Sequence, residues 1–361
     1  MTRPLTETVS YRSVTTALLL TLAAALPVMP HTSFAGETRT AATQSALSKT
    51  ASPDDERGKR ESARARQAAM AGVKSWAIQL RYIEKQALQS SPFDLIVIDH
   101  APHPKKDVEI PFAFEDVASL KRKPGGSRRI VLAYLSIGEA ERYRFYWKAA
   151  WDAEATRPKW LGKENPQWPG DYLVDFSNPD WQSIIFGRET SYLDKLLAAG
   201  FDGVFLDRAD AFQDTDGAVT SGGEDAMQGF LSRLADYAHR KNPDFLVVMQ
   251  NAEELAKSKS LLARLDGIAK EDLFFGAGND EAENPKQMVK DSLSYLRRAK
   301  RAGLKVLLLE YARAPQKIAQ IRDDARREGF VLHLTDRLLG VLSVDGIPSP
   351  AAGDVQSLPV P

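Results

Sequence analysis

An alternation limits what this chain can fold into. Nine short strand-forming runs, "SWAIQL", "FDLIVID", "RIVLAYLSIG", "DYLVDF", "DGVFLD", "FLVVMQN", "DGIAKED", "KVLLLEYA" and "FVLHLT", follow one another along the sequence. Between them lie segments such as "SYLDKLLAAG", "AMQGFLSRLADYAHRKNP" and "NPKQMVKDSLSYLRRAKRAG", with apolar residues at i, i+3 and i+4 and Gly or Asn-Pro stops. Strand and helix in strict turn predict an α/β protein with a parallel sheet, and the number of units predicts a (β/α)8 TIM-like barrel over an open doubly wound sheet. Nine runs are one too many for eight places, so the last run or "DYLVDF" is expected to be a surplus strand. No run is followed by a Gly-rich phosphate fingerprint, and "SIGEAE" has a single Gly, so no dinucleotide cofactor is expected, nor any other.

The flanks set the domain limits. Arg3 and Arg12 precede the apolar run "TALLLTLAAALPVMP", and Ser33 and Ala35 supply small residues at the −3 and −1 positions of a cleavage site. Residues 1–35 read as a secretory signal, too short an apolar run to anchor comfortably in a core ~30 Å thick. A secreted or periplasmic protein without stable membrane insertion follows. Residues 36–71 are poor in large apolar side chains and read as a disordered linker with room for one or two helical turns. The folded unit is expected at 72–344, with a flexible tail at 345–361. The absence of cysteine excludes disulfides and thiolate metal sites. Lys plus Arg and Asp plus Glu each total 48, which gives no electrostatic ground for a nucleic-acid partner.

In a barrel of this kind the chemistry sits where the strands end at their C-terminal side. Those ends are Asp99, Glu139, Asp175, Asp207, the pair Gln250 and Asn251, Glu271 and Glu310, so six of seven carry a carboxylate. One strand-terminal acid is adequately explained as a cap on the next helix. Six on one rim repel each other and raise one another's pKa unless a site uses them. Glycoside hydrolysis is a chemistry that needs paired carboxylates and no thiol: one protonates the leaving oxygen, the other attacks the anomeric carbon or activates water. The loop after Glu139 adds Tyr143, Phe145, Tyr146, Trp147 and Trp151, then Trp160 and Trp168; part of this set is expected in the core and part along a groove for sugar rings.

The motifs "WAIQL", "FDLIVIDHA", "AYLSIGEAERYRFYW", "WPGDYLVDFSNPDW", "GFDGVFLDRADAF", "QNAEEL", "IAKEDLFF" and "LLLEYA" together resemble glycoside hydrolase family 114 over about residues 74–335. The family includes endo-α-1,4-polygalactosaminidases. The resemblance implies Asp207 as the nucleophile-type carboxylate and Glu271 as the general acid/base, with Glu253 as the alternative acid. It implies sugar-binding roles for Asp99, Glu139, Asp210, Asn251, Glu253 and Glu310; Tyr134, Tyr146, Trp147, Asp175, Arg208 and Tyr311 complete the candidate substrate-binding set. Arg208 is expected to pair with a neighbouring carboxylate and keep Asp207 ionised. The expected activity is an exported, endo-acting, retaining hydrolase of an amino-sugar polymer, whose ammonium groups an acidic rim would attract.

Three other functions fit parts of the pattern. An older label for the bacterial branch, "cysteinyl-tRNA synthetase related", would require the HIGH and KMSKS signatures, and neither occurs. His100 and His103 beside Asp99 would suit a metal-dependent deacetylase, although a solvated turn explains them more simply. A non-catalytic carbohydrate-binding barrel would use the same rim without cleaving the sugar.

Overall fold

The computed structural model describes residues 53–102, 109–214 and 222–342. Contacts divide the chain into Met1–Gly58, of which only the start of one helix is described, and Lys59–Pro361, which holds everything below. In order, the elements are α1 (Pro53–Ala71), β1 (Trp76–Gln79), α2 (Lys85–Ser90), β2 (Leu95–Ile98), α3 (Phe114–Leu120), β3 (Ile130–Ser136), β4 (Glu139–Glu141), β5 (Leu161–Glu164) and β6 (Asp171–Val174). Then come α4 (Pro179–Ile185), α5 (Tyr192–Ala198), β7 (Gly203–Asp207), α6 (Gly223–Lys241), β8 (Leu246–Gln250), α7 (Lys259–Leu262), β9 (Gly267–Glu271), α8 (Lys286–Arg301), β10 (Lys305–Glu310), α9 (Pro315–Glu328) and β11 (Val331–Leu334).

Eight strands pair in parallel in the order β1-β2-β3-β7-β8-β9-β10-β11 and curl into a nearly closed (β/α)8 barrel. Across the seam, the indole N–H of Trp76 on β1 donates to the carbonyl of Val331 on β11 at 2.8 Å. The surplus strand is "DYLVDF": as β6 it lies between β4 and β5 in a small antiparallel sheet, whereas "FVLHLT" supplies the eighth barrel strand.

Strand residues sort by parity. Ile78, Leu95, Val97, Leu132, Phe205, Leu246, Val248, Ala269, Leu307 and Leu309 fill the barrel interior. Their neighbours Ala77, Ile96, Val131, Val204, Val247, Ile268 and Leu308 pack outward against the helices. Both faces are dry in the middle of the barrel, so the strands are mostly apolar on both phases, and each buried aliphatic side chain contributes about 1.5–3 kcal/mol. Interior space is tight at Gly203, where a Cβ would fall 2.3 Å from the carbonyl oxygen of Leu246. An Ala there would push β7 away from β8.

The linker expectation needs correction between 53 and 71, which form a helix of 19 residues. Met70 of α1 and Val73 just after it join the interior cluster. Arg66 donates to Asp266 at 2.9 Å and to the Pro243 carbonyl at 2.6 Å. Its sequence looks unstructured because one large apolar residue and one arginine suffice to dock it. The signal segment 1–35, residues 36–52 of the linker and the tail 345–361 lie outside the described residues, as does His103.

Candidate active site

The same parity decides which strand-end residues reach the barrel mouth. Two positions beyond Leu132, Phe205, Ala269 and Leu309 stand Tyr134, Asp207, Glu271 and Tyr311, all on the inward phase. They meet in pairs. The hydroxyl of Tyr134 donates to Oδ2 of Asp207 at 2.5 Å, and the backbone N–H of Arg208 donates to Oδ1 at 2.8 Å. The hydroxyl of Tyr311 donates to Oε2 of Glu271 at 2.7 Å, while the Asn251 side-chain amide donates to Oε1 at 2.9 Å. Both carboxylates are thereby fixed from neighbouring strands.

Backbone strain collects at this rim. Arg208, Asn251, Ala252 and Asp272, with φ of 58°, 55°, 49° and 51°, all leave barrel strands in the left-handed region. Non-glycine residues hold that conformation at a cost of order 1–3 kcal/mol each, and such strain clusters at functional sites. Here it turns the chain sharply outward and re-aims the side chains that follow the strands.

Burial, helped by the charge of Glu271 and opposed by Tyr134, pushes Asp207 up to about 7. Arg208 therefore does not keep it ionised. The left-handed turn sends the guanidinium away from Asp207 to Glu139 (3.1 Å), Asp210 (3.5 Å) and Asp214 (2.5 Å). Burial also raises Asp210, against Arg208 and Lys270, and raises Glu139, against Arg208 and Asn165. The Asn165 amide donates to Glu139 at 2.8 Å and ties the β5–β6 turn to the mouth. In that turn Trp168 is 40% exposed.

Other candidates stand away from the mouth. Glu310, one residue off the inward phase, points outward and accepts the N–H groups of Leu273, Phe274 and Phe275 at 3.1, 2.9 and 3.4 Å. It is fully buried and anchors the loop after β9. Glu253 accepts from Ser292 on α8 at 2.5 Å and pairs with Lys270 at 3.5 Å, so its carboxylate is held by the helix layer and by that lysine. Asp175 accepts the N–H and hydroxyl of Ser177 in the turn before α4, and the helix itself is capped by Asn178, so Asp175 orders a turn instead of capping a helix. Tyr146 accepts the Glu141 N–H at 2.9 Å and packs edge-on to Trp181. Trp147 donates to Asp152 at 3.0 Å and starts a chain of contacts through Trp151 and Trp160 to Trp181. Most of the aromatic loop is thus core, with Phe145 and Trp168, each 40% exposed, as the exceptions.

Asp99 is taken up by a residue that the sequence did not bring forward. Fully buried Arg144 binds Asp99 in a fork at 2.9 and 2.7 Å and Glu141 at 2.6 and 3.0 Å, and reaches Glu109 at 3.2 Å. Burial pushes Asp99 up, but the guanidinium overrides this and holds it well below the ordinary range. His100 is no solvated turn: its Nδ1 meets the Tyr192 hydroxyl at 2.6 Å and Arg144 at 3.3 Å. Ligand atoms of Asp99, His100 and Glu109 lie within 4.8 Å of one another, a spacing that would suit a cation. The Arg144 guanidinium already stands among them and supplies that charge. Lys270, Asp272 and Arg337, also missed, complete the charged rim; no local sequence signal separates them from surface residues.

The profile of glycoside-hydrolase family GH114 matches residues 58–349. Uncharacterized proteins of Deinococcus radiodurans and Thermotoga maritima are 32% and 31% identical over 277 and 293 residues, covering 76% and 77% of this chain and 84% and 86% of theirs. Among solved structures, the glycoside hydrolase domain of PelA from Pseudomonas aeruginosa aligns with a TM-score of 0.56 at 21% identity, over 76% of this chain and 100% of that one. Aspergillus fumigatus Ega3, solved in complex with galactosamine, aligns with a TM-score of 0.54 at 21% identity, over 74% and 92%. These two likenesses concern the fold. Two carboxylates at a barrel mouth and a family profile that spans the whole described barrel lead to one conclusion: the chain belongs to glycoside-hydrolase family GH114 and is a glycosidase.

Proposed function

We propose that this glycosidase is an exported endo-hydrolase of an α-1,4-linked, galactosamine-containing polysaccharide, with Asp207 as nucleophile and Glu271 as general acid and base. The observation that carries the pairing is the inward placement of these two carboxylates, each oriented by a tyrosine hydroxyl from a neighbouring strand. Asp207 attacks the anomeric carbon while Glu271 protonates the departing oxygen. Glu271 then takes a proton from the water that releases the glycosyl-enzyme ester, giving net retention.

Charge supports an amino-sugar substrate. The rim carries Asp207, Asp210, Asp214, Glu139, Glu271 and Asp272 against Arg208, Lys270 and Arg337, six acids to three bases. An ammonium group entering this site gains electrostatic energy, and its charge favours the ionised Asp207 that attack requires. The galactosamine complex of the structural neighbour Ega3 agrees with that substrate class.

The test is hydrolysis of a partly deacetylated galactosamine polymer, with the anomer of the first product read by NMR. Glu271→Gln is expected to lose about 10²–10⁴-fold in rate. Asp207→Asn should be inactive while still binding the polymer, and azide should restore turnover to Asp207→Gly with an inverted product. Unimpaired hydrolysis by either Asn or Gln variant would remove the pair from the chemistry. Export is checked by sequencing the N-terminus of the mature protein, expected to begin at Gly36.

A further inference from the structure

We infer that Arg337, on the loop after the eighth barrel strand, is a positioning residue that holds Glu271 in its working geometry and charge environment through Tyr311 and Asp272. The inference rests on the role proposed for Glu271. Arg337 binds Asp272, the next residue in the chain, in a fork of 3.0 and 2.8 Å, and its Nε donates to Asp280. Its guanidinium carbon lies 4.3 Å from the centroid of the Tyr311 ring. That tyrosine donates its hydroxyl to Glu271.

Both routes act on Glu271 in the same direction. A cation over a phenol ring draws on its electron density and strengthens the O–H as a donor. The fork neutralises a carboxylate one residue from Glu271 and keeps it fixed. Asp272 has little room to move: a Cβ on Gly276, itself at φ 121°, would fall 2.2 Å from Oδ1 of Asp272. Glu271 otherwise faces Asp207 and Asp210 from the β7 end, Lys270 on its own strand, Asp272 just after it, and Tyr311 just after β10. Lys270 is engaged by Glu253, and Arg208 by Glu139, Asp210 and Asp214. Among the described residues Arg337 is therefore the cation placed over Tyr311, and it comes from an element with no other role in the chemistry.

The experiment measures kcat and KM on a soluble amino-sugar polymer for Arg337→Met and Arg337→Lys, beside thermal unfolding of each. Arg337→Met should lower kcat about tenfold while KM stays within about twofold. Arg337→Lys, which keeps a charge over the Tyr311 ring but loses the fork, should recover part of that kcat. Should the Met variant not fold, Arg337→Gln keeps a donor for Asp272 and makes the same measurement. An unchanged kcat in the folded uncharged variant, or lost activity that Lys does not recover, overturns the inference. Glu271→Gln that remains active would instead overturn the proposed acid, whatever Arg337 does.

Discussion

The hydroxyl of Tyr134 lies 2.5 Å from Oδ2 of Asp207, a bond made across the adjacent strands β3 and β7. It favours the ionised carboxylate against the burial that pushes Asp207 up to about 7. Tyr134→Phe keeps the ring and deletes the donor. The acidic limb of the activity profile, which marks ionisation of the nucleophile, should then move to higher pH, with a loss of about tenfold at pH 6. Profiles of wild type and variant decide it, and coincident limbs would deny the bond any influence on catalysis.

Asp207 also links catalysis to stability. In the unfolded chain the group returns to an ordinary value near 3.8, well below about 7 in the fold. The folded state therefore binds more protons in that window, and stability falls as pH rises through it. Below about pH 4 nothing is lost, and above about pH 7 the loss is complete. Asp207→Asn removes the buried charge and should unfold later than wild type at pH 8, by about 1–3 kcal/mol. The advantage should vanish at pH 4. Urea unfolding at both pH values measures it; equal stability at pH 8 would show that Asp207 carries no such burden.

How far the sequence discloses the site follows from the period of a buried barrel. The strands and their order are legible because apolar runs alternate with helical segments, and the ends of those runs place Asp207 and Glu271 at the mouth. The facing direction is less legible. In "KVLLLEYA" every strand residue but the first is buried, so hydrophobic alternation cannot tell which neighbour points inward, and a one-residue shift exchanges the faces. Glu310 falls on the wrong phase for that reason and Tyr311 on the right one. The direction of Arg208 is illegible for a backbone reason: a left-handed φ of 58° turns the chain at the strand end and carries the guanidinium to Glu139, Asp210 and Asp214. Burial of Arg144 depends on partners up to 45 residues away, which no local pattern records.

Glu310 gives a test that separates anchoring from substrate contact. Burial, against its three N–H donors and with Asp272 nearby, pushes its carboxyl up to about 8. The group is then largely protonated at neutral pH, and Glu310→Gln should cost less than about 1 kcal/mol. Glu310→Ala strands three buried N–H groups and should cost about 3 kcal/mol or more. For the fraction that folds, KM should match wild type in both. A KM that rises in the Gln variant without loss of stability would return Glu310 to the substrate.

Arg144 should be the residue whose loss the fold tolerates least. Its guanidinium compensates Asp99, Glu109 and Glu141, with no exposure of its own side chain. Arg144→Met preserves much of the volume but leaves these acids facing one another, and breaking a buried pair in this way costs about 3–5 kcal/mol. The sign with pH follows from Asp99. Burial opposes its charge, but Arg144 holds its pKa below the ordinary value, so its stabilisation is present above that value and is lost as pH falls through the folded one. Without Arg144 the carboxyls can recover part of the loss by taking up protons. The deficit of Arg144→Met in urea unfolding should accordingly be larger at pH 8 than at pH 5, and Arg144→Lys, a point charge without the fork, should recover a fraction of it. A deficit below about 1 kcal/mol at pH 8, the size of an exposed ion pair, would mean that water already screens these charges.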